Sequence, residues 1–441
     1  MTQIRTEGPR FPRPLRERAR VRGALVVPLV VGLALVSGCK KGHAPRGWVR
    51  TFGGAGDDMG FSVQQTRDGG YIVTGLTKSY GDTAGHVPID PGGYLPGVPR
   101  DDDAWLLKID SAGNKVWDKT FGGTGSDEGH SVQQTRDGGY IIAGSTSSFG
   151  VLDDDVWLIK TDTAGNKQWD RTFGTLASDG ASSVQQTEDG GYIVTGWVGQ
   201  EGPYSGQWGN LWLIKTDAYG NKVWDWSSVG KGDEEGCEVL QTRDGGYVVV
   251  GYTWPRRLNR DCDFLLLRFD SQGDMLWQRT YGGPKFDMGQ SVVQTRDGGY
   301  LLAGYTDSYG AGSYDAWLVR TDSLGDTLWT KTLGGPKTDD AKSIRQTRDG
   351  GFMVAGAVND GGPKSPSDVW LIKMDSGGDT VWTRTISGIG WDEANSVSQA
   401  RDAGYIIVGY SQRGLSLDSA GLDFLLIKTD VEGRVDRVGS K

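Results

Sequence analysis

The sequence predicts an all-β protein: a seven-bladed β-propeller with four antiparallel strands per blade, the ring closed by the N-terminal strand. Three observations predict it. Glycine supplies 71 of the 441 residues, more than twice the usual roughly 7%, and glycine inside a helix costs about 1 kcal/mol relative to alanine. The string Asp-Gly-Gly-Tyr, or a close variant, begins at Asp68, Asp137, Asp189, Asp244, Asp297, Asp349 and Asp402, in steps of 69, 52, 55, 53, 52 and 53 residues. Each copy also divides into four β-rich segments separated by turns. The chain has no Gly-X-Y period, which excludes collagen, and its 17 tryptophans argue against a disordered low-complexity chain.

The N-terminus reads as an address. Residues 1–22 carry seven arginines against Glu7 and Glu17, an apolar run follows from Gly23 to Val36, and Ser37-Gly38-Cys39 closes it. A basic start, a short apolar stretch and a small-residue exit describe a secretory signal, too short for a comfortable membrane span. Leu35-Val36-Ser37-Gly38-Cys39 resembles the lipobox of bacterial lipoproteins. The resemblance implies cleavage after Gly38 and lipid attachment at Cys39. It makes 1–38 a signal peptide, 39–46 a lipid-anchored linker and 47–441 the propeller. The expected location is extracytoplasmic, with the chain anchored to the bacterial cell membrane or outer membrane. Removing 1–38 leaves 40 basic and 54 acidic side chains, against 47 and 56 in the whole chain, a net of −14. That charge repels nucleic acid and disfavours a polybasic membrane surface, so acyl chains at Cys39 are the expected hold on the membrane.

Within a unit the first strand is of the type Ser131 to Thr135, and an Arg-Asp-Gly-Gly turn leads to the second, Tyr140 to Gly144. Asp-Gly and Gly-Gly between β-rich runs are hairpin signals, because glycine accepts the positive φ such turns need. A variable loop leads to the third strand, Asp155 to Lys160, and Asp162-Thr163-Ala164-Gly165 turns into the fourth, centred on Trp169. This Asp-x-x-Gly-x-x-x-Trp turn occurs at Asp110/Trp117, Asp162/Trp169, Asp217/Trp224, Asp270/Trp277, Asp322/Trp329 and Asp375/Trp382. It resembles the tryptophan-docking motif of quinoprotein-type propellers, with a turn shorter by one residue. The repeat over 47–430 is similar to those of extracytoplasmic bacterial propeller proteins with Asp-Gly-Gly-Tyr blades. An orphan fourth strand, Gly47 to Thr51, precedes the first unit, while Gly433 to Val438 after the last lacks a tryptophan. The Trp48 strand is therefore expected to complete the seventh blade.

Polar positions recur in every unit. An acid opens the first strand (Asp58, Asp127, Asp179, Glu234, Asp287, Asp339, Asp392), a glutamine ends it, and a lysine or arginine lies near the end of the third. Such repetition reads as each blade satisfying the same buried polar groups. Function is expected where the copies differ, on the face carrying the loops between second and third strands and between units. Five tryptophans fall outside the repeat: Trp197, Trp208, Trp226, Trp254 and Trp391. With Arg256 and Arg257 they are the ligand-binding candidates, for an envelope glycan or a protein partner.

Catalytic signals are sparse, and no catalytic residue, cofactor or metal ligand is assigned. Only His43, His86 and His130 exist, too few for a multi-histidine metal site, and His86 and His130 read as surface residues. A hydrolase of the endoglucanase-like kind needs two carboxylates about 5–10 Å apart. The loop face offers ten: Asp101, Asp102, Asp103, Asp153, Asp154, Asp233, Glu234, Glu235, Asp340 and Glu393. Propellers of that kind, however, pair two rings around a cleft. A quinone-dependent oxidoreductase is the third reading, weakened by seven blades in place of eight and by the lack of an adjacent cysteine pair. The preferred reading is a monomeric, lipid-anchored binding module that does not bind nucleic acid. Cys237 and Cys262 suit a disulfide between loops outside the cytoplasm, worth roughly 3 kcal/mol for its loop length; the alternative is two free buried thiols.

Overall fold

The computed structural model describes residues 47–80, 102–151, 153–199, 209–228, 232–255, 262–359, 367–388, 390–413 and 421–435. Cys39, with the expected signal peptide and linker, lies outside the described residues, as do Trp208, Arg256 and Arg257. The described chain forms 28 strands and no helix, arranged as seven four-stranded antiparallel sheets.

The chain opens with β1 (Trp48–Phe52). Blade one is β2 (Asp58–Gln65), β3 (Tyr71–Thr77), β4 (Asp103–Ile109) and β5 (Lys115–Phe121). Blade two is β6 (Asp127–Gln134), β7 (Tyr140–Thr146), β8 (Asp155–Thr161) and β9 (Lys167–Phe173). Blade three is β10 (Gly180–Gln186), β11 (Tyr192–Gly199), β12 (Gly209–Thr216) and β13 (Lys222–Ser227). Blade four is β14 (Gly232–Gln241), β15 (Tyr247–Pro255), β16 (Asp263–Phe269) and β17 (Met275–Tyr281). Blade five is β18 (Asp287–Gln294), β19 (Tyr300–Thr306), β20 (Asp315–Thr321) and β21 (Thr327–Leu333). Blade six is β22 (Ser343–Gln346), β23 (Phe352–Val358), β24 (Asp368–Met374) and β25 (Thr380–Ile386). Blade seven is β26 (Asp392–Gln399), β27 (Tyr405–Gln412) and β28 (Leu422–Lys428), with β1 as its outer strand.

The expected closure is present. β1 pairs antiparallel with β28 from Trp48↔Lys428 to Phe52↔Phe424. The Trp48 ring covers Gly113, where a Cβ would come within 2.9 Å of the indole and where φ is +87°. Glycine is required there twice over, by backbone conformation and by the ring above it. The same seat repeats round the molecule, from Gly165 under Trp117 to Gly433 under Trp382. The docking turns are thus fasteners between blades, and Trp48 supplies the one that the C-terminal segment lacks.

Middle strands are buried on both faces and read as continuous apolar runs; β3 and β4 are buried at every residue. The core consists of seven apolar clusters, each shared by two neighbouring blades. The closing one joins Val63, Tyr71 and Trp105 of blade one to Ile406, Val408 and Phe424 of blade seven, with Trp48 packed against it.

The repeated polar residues serve the blades themselves. Each buried lysine or arginine of the third strand pairs with the aspartate of its own Asp-Gly-Gly turn, as in Lys108–Asp68 at 2.9 Å, Lys215–Asp189 at 2.8 Å and Lys428–Asp402 at 2.8 Å. Burial opposes the charge on Asp68, yet bonds from Thr66, Lys108 and the Gly70 N–H outweigh it and hold its carboxyl down at about 2. The opening acids accept local bonds; Asp58 takes the Gly54 N–H at 2.9 Å and the Ser79 hydroxyl at 2.6 Å. The glutamines reach between blades, and Gln65 accepts the Arg401 N–H at 2.7 Å across the closure. Arginines of the same turns add a belt: Arg67 donates to the Arg136 carbonyl at 2.8 Å, and Arg401 to that of Arg67 at 2.7 Å.

One turn breaks the glycine rule. Ala403 stands where the other copies have glycine, and its φ is +68°. An L-residue in that region is disfavoured by roughly 1–2 kcal/mol. Ala403→Gly is expected to stabilise the protein by about 1 kcal/mol, read as a higher urea midpoint at unchanged slope. An unchanged or lower midpoint contradicts the strain.

Candidate functional site

The strand pattern creates an axial channel. The first strand of each blade lines the axis, and in six of them the ladder slips at one place: Gly60/Ser62, Gly129/Ser131, Ala181/Ser183, Gly236/Glu238, Gly289/Ser291 and Ala394/Ser396. A β-bulge of this kind leaves one residue unpaired and re-aims its side chain. The residues left over are Phe61, His130, Ser182, Cys237, Gln290 and Asn395. Lys342, immediately before β22, holds the corresponding place in blade six. All seven line a cavity of about 420 Å³ on the axis, and no two are the same residue type. The next ring, also lining the cavity, is nearly constant: Ser62, Ser131, Ser183, Ser291, Ser343 and Ser396, with Glu238 in blade four. These serines bind the ring together, since the Ser131 hydroxyl accepts the Val184 N–H at 3.2 Å and that of Ser291 accepts the Ile344 N–H at 3.0 Å. Glu238 does the same with the Val292 N–H at 2.9 Å.

Charges cluster toward the loop-face ends of these strands. On one side, His130 Nε2 meets Glu128 at 2.8 Å and Nδ1 meets the Ala181 carbonyl at 2.9 Å. Both ring nitrogens thus face acceptors. Burial opposes a charge on the imidazole, but Glu128 and the carbonyl outweigh it and raise its pKa, which favours the imidazolium. Glu235 accepts the Tyr252 hydroxyl, and burial raises its carboxyl more than Tyr252, His130 and Ser182 lower it. Across the channel, Lys342 pairs with Glu393, which also accepts the Tyr410 hydroxyl. Asp340 shares a hydrogen bond with Glu393; burial, partly offset by Lys342, lifts it to about 7. Lys342 is itself raised, because Asp340 and Glu393 outweigh the cost of burying it. Deeper in, Arg345 pairs with Glu238 at 2.9 Å and donates to Ser291 at 3.2 Å.

The structure separates the sequence-level candidates. Trp197, near the loop-face end of β11, lines the cavity, its ring lying where a Cβ on Gly180 would come within 2.2 Å. Trp226 lies on an outer strand and packs edge-on against Phe269 at 5.0 Å. Trp254 packs against Phe286 at 5.2 Å, beside Tyr305 and Tyr314. Trp391 is 46% exposed and does not line the cavity. His130 is a channel residue, contrary to its reading as a surface one. Asp101 lies outside the described residues; of the other nine acids, Glu235 reaches the cavity wall, and Asp340 and Glu393 bond to each other beside Lys342, too close to hold a sugar and a water between them.

The expected disulfide is not formed; Cys237 and Cys262 are separate thiols. Neither is on an open loop. Cys237 is the bulge residue of β14 facing the channel, while Cys262 is fully buried and bridges to Phe286 at the start of β16. Burial, then the charge of Glu235, pushes the Cys237 thiol well up. Among the described residues no group of three or more His, Cys, Asp or Glu side chains is placed to hold a metal ion, and no helix is long and apolar enough to cross a membrane.

No protein-family model matches the chain. The regulatory protein FlaEY of Caulobacter vibrioides is 28% identical over 127 residues. That match covers 25% of this chain and spans only 13% of the relative's length. Among solved structures, a protein of unknown function from Dyadobacter fermentans is similar with a TM-score of 0.49 at 13% identity, covering 87% of this chain and 98% of the other. One from Bacteroides caccae has a TM-score of 0.39 at 14% identity, covering 64% and 88%.

Proposed function

We propose that the chain is a lipid-anchored, extracytoplasmic binding module whose axial channel takes a ligand from the loop face. One observation carries this reading. Seven otherwise matched blades place seven unlike side chains at the same position around one cavity, next to a ring held nearly constant as serine. A purely structural position would repeat, as the serines, glutamines and docking tryptophans do. The cavity volume lies within the roughly 300–1,000 Å³ of small-molecule sites, and Trp197 gives it an aromatic wall. The resemblance of Leu35 to Cys39 to a lipobox supports the anchor, and intact-mass detection of an acylated Cys39 is its direct check.

The channel reading is tested by thermal shift. A panel of sugars, uronic acids, amino acids and nucleosides is expected to contain at least one compound that raises Tm, because a ligand at one hundred times its Kd adds about 2.7 kcal/mol. Trp197→Ala is expected to abolish that shift, and Trp391→Ala, away from the cavity, to leave it. A panel without effect, or a shift indifferent to Trp197, rejects the channel as the site.

A further inference from the structure

The charges in the channel are matched among themselves. Three cations line the cavity, and each is in contact with a carboxylate: His130 with Glu128, Lys342 with Glu393, and Arg345 with Glu238. The two remaining acids are held toward their neutral forms. Glu235 accepts from Tyr252 in a partly buried position, and Asp340 bonds with Glu393 and accepts the Ala357 N–H at 2.8 Å. A ligand bearing a formal charge finds no counter-ion here unless it breaks an existing pair. The pairs are partly buried, with side-chain exposures of 13–37%, and drawing one member away leaves the other uncompensated, which is unfavourable.

What remains available is neutral. Gln290 lines the cavity, and its amide, with two donors and an acceptor, has no hydrogen bond to another described residue. Asn395 spends its amide N–H on the Gly60 carbonyl at 2.9 Å, while its oxygen receives only a long 3.4 Å contact from Lys342. Phe61, Trp197 and Tyr252 put aromatic surface on the wall from three different blades. Amides at the edges with aromatic faces between them complement a molecule that has hydroxyls round its rim and C–H groups on its faces. Each hydroxyl both donates and accepts.

We infer that the channel ligand is a neutral polyhydroxylated ring, a sugar unit or the neutral end of a glycan, held by the Gln290 and Asn395 amides and stacked on Trp197. This rests on the reading of the channel as a ligand site. It also names a class: uronic acids, phosphorylated sugars and free amino sugars are disfavoured by the same closed pairs.

The test is titration calorimetry of the chain from Cys39 to Lys441 with maltose, cellobiose and N,N′-diacetylchitobiose, beside digalacturonic acid and glucosamine. At least one neutral disaccharide is expected to bind. Trp197→Ala and Gln290→Ala are each expected to weaken it at least tenfold, and the charged sugars to bind at least tenfold more weakly. Gln290→Ala removes no side-chain hydrogen bond to a described residue, so it separates a lost contact from a lost structure; an unchanged Tm verifies this. If a charged sugar binds more tightly than every neutral one and depends on Trp197, the class is wrong while the channel remains a site. If no sugar binds, the class is wrong as well; a Trp197-dependent thermal shift from a non-sugar then keeps the channel reading alone, and its absence rejects both.

Discussion

Deletion of residues 47–52 is expected to open the ring and abolish cooperative unfolding of the intact propeller. The deletion removes every backbone bond from Trp48↔Lys428 to Phe52↔Phe424 and leaves β28 as a bare edge, an invitation to pair with another chain. It also uncovers Gly113, strips Trp48 from the edge of Tyr71, where the ring centroids are 6.1 Å apart, and removes a hydrogen bond to the Ser111 carbonyl at 3.3 Å. Trp48→Ala alone is expected to cost about 3 kcal/mol, the low end for a large aromatic because the ring is only partly buried. The deletion is expected to self-associate on size exclusion and to regain its melting transition when a peptide spanning residues 46–53 is added. A deletion that melts like the parent shows that β28 does not need its partner.

The second large effect concerns Lys342. Lys342→Met leaves Asp340 and Glu393 sharing a hydrogen bond with no cation beside them, which is expected to cost about 3 kcal/mol at neutral pH, the low end for breaking a buried pair because Lys342 retains 27% side-chain exposure. The pH dependence has a definite sign. Asp340 sits at about 7 even with Lys342 present, so at pH 5 it is protonated in parent and variant alike. Above pH 7 the parent can ionise it beside the ammonium, whereas the variant must keep the proton or bear two adjacent negative charges. The folded variant then binds more protons than the unfolded chain, and its stability falls as pH rises. The deficit is therefore expected to be larger at pH 9 than at pH 5 in urea unfolding. Adding Asp340→Asn to Lys342→Met is expected to recover part of it, a coupling measured by the double-mutant cycle. A deficit independent of pH and of Asp340 means that Lys342 matters only as packing.

The blades were legible in the sequence because their determinants are local and repeat at a fixed period: an Asp-Gly-Gly hairpin, a run of apolar residues, a docking turn. Closure was legible for the same reason, since Trp48 is a fourth strand without a blade. The channel was harder to see. Glu234 and Glu235 are neighbours, yet only Glu235 lines the cavity; Cys237, two residues on, joins it by plain alternation, and Glu238 joins as well because the ladder slips between Gly236 and Glu238. A bulge shifts the alternation of sides along the strand, so counting residues from the opening acid places the next side chains on the wrong face. The pointer was nonetheless in the sequence. Three residues after each opening acid the copies read Phe61, His130, Ser182, Cys237, Gln290, Lys342 and Asn395, all different, directly before a position that is serine in six of seven. Variation at one step of a repeat, flanked by near-identity, marks the place released from structural duty. The loop tryptophans are large and unrepeated, but Trp226 and Trp254 are occupied by Phe269 and Phe286.

The joining of first and last strands also decides how the protein answers a pull. β1 enters from the face that carries the hairpin turns, and its first residue, Trp48, lies opposite Lys428 at the far end of β28. Tension drawn along the N-terminus in the strand direction loads the whole β1–β28 ladder in shear, so its bonds share the force and must fail together. Tension at right angles peels the same ladder one bond at a time, beginning at Trp48. The strand that completes the ring is thus a direction-dependent clasp, firm against axial traction and weak against lateral peeling.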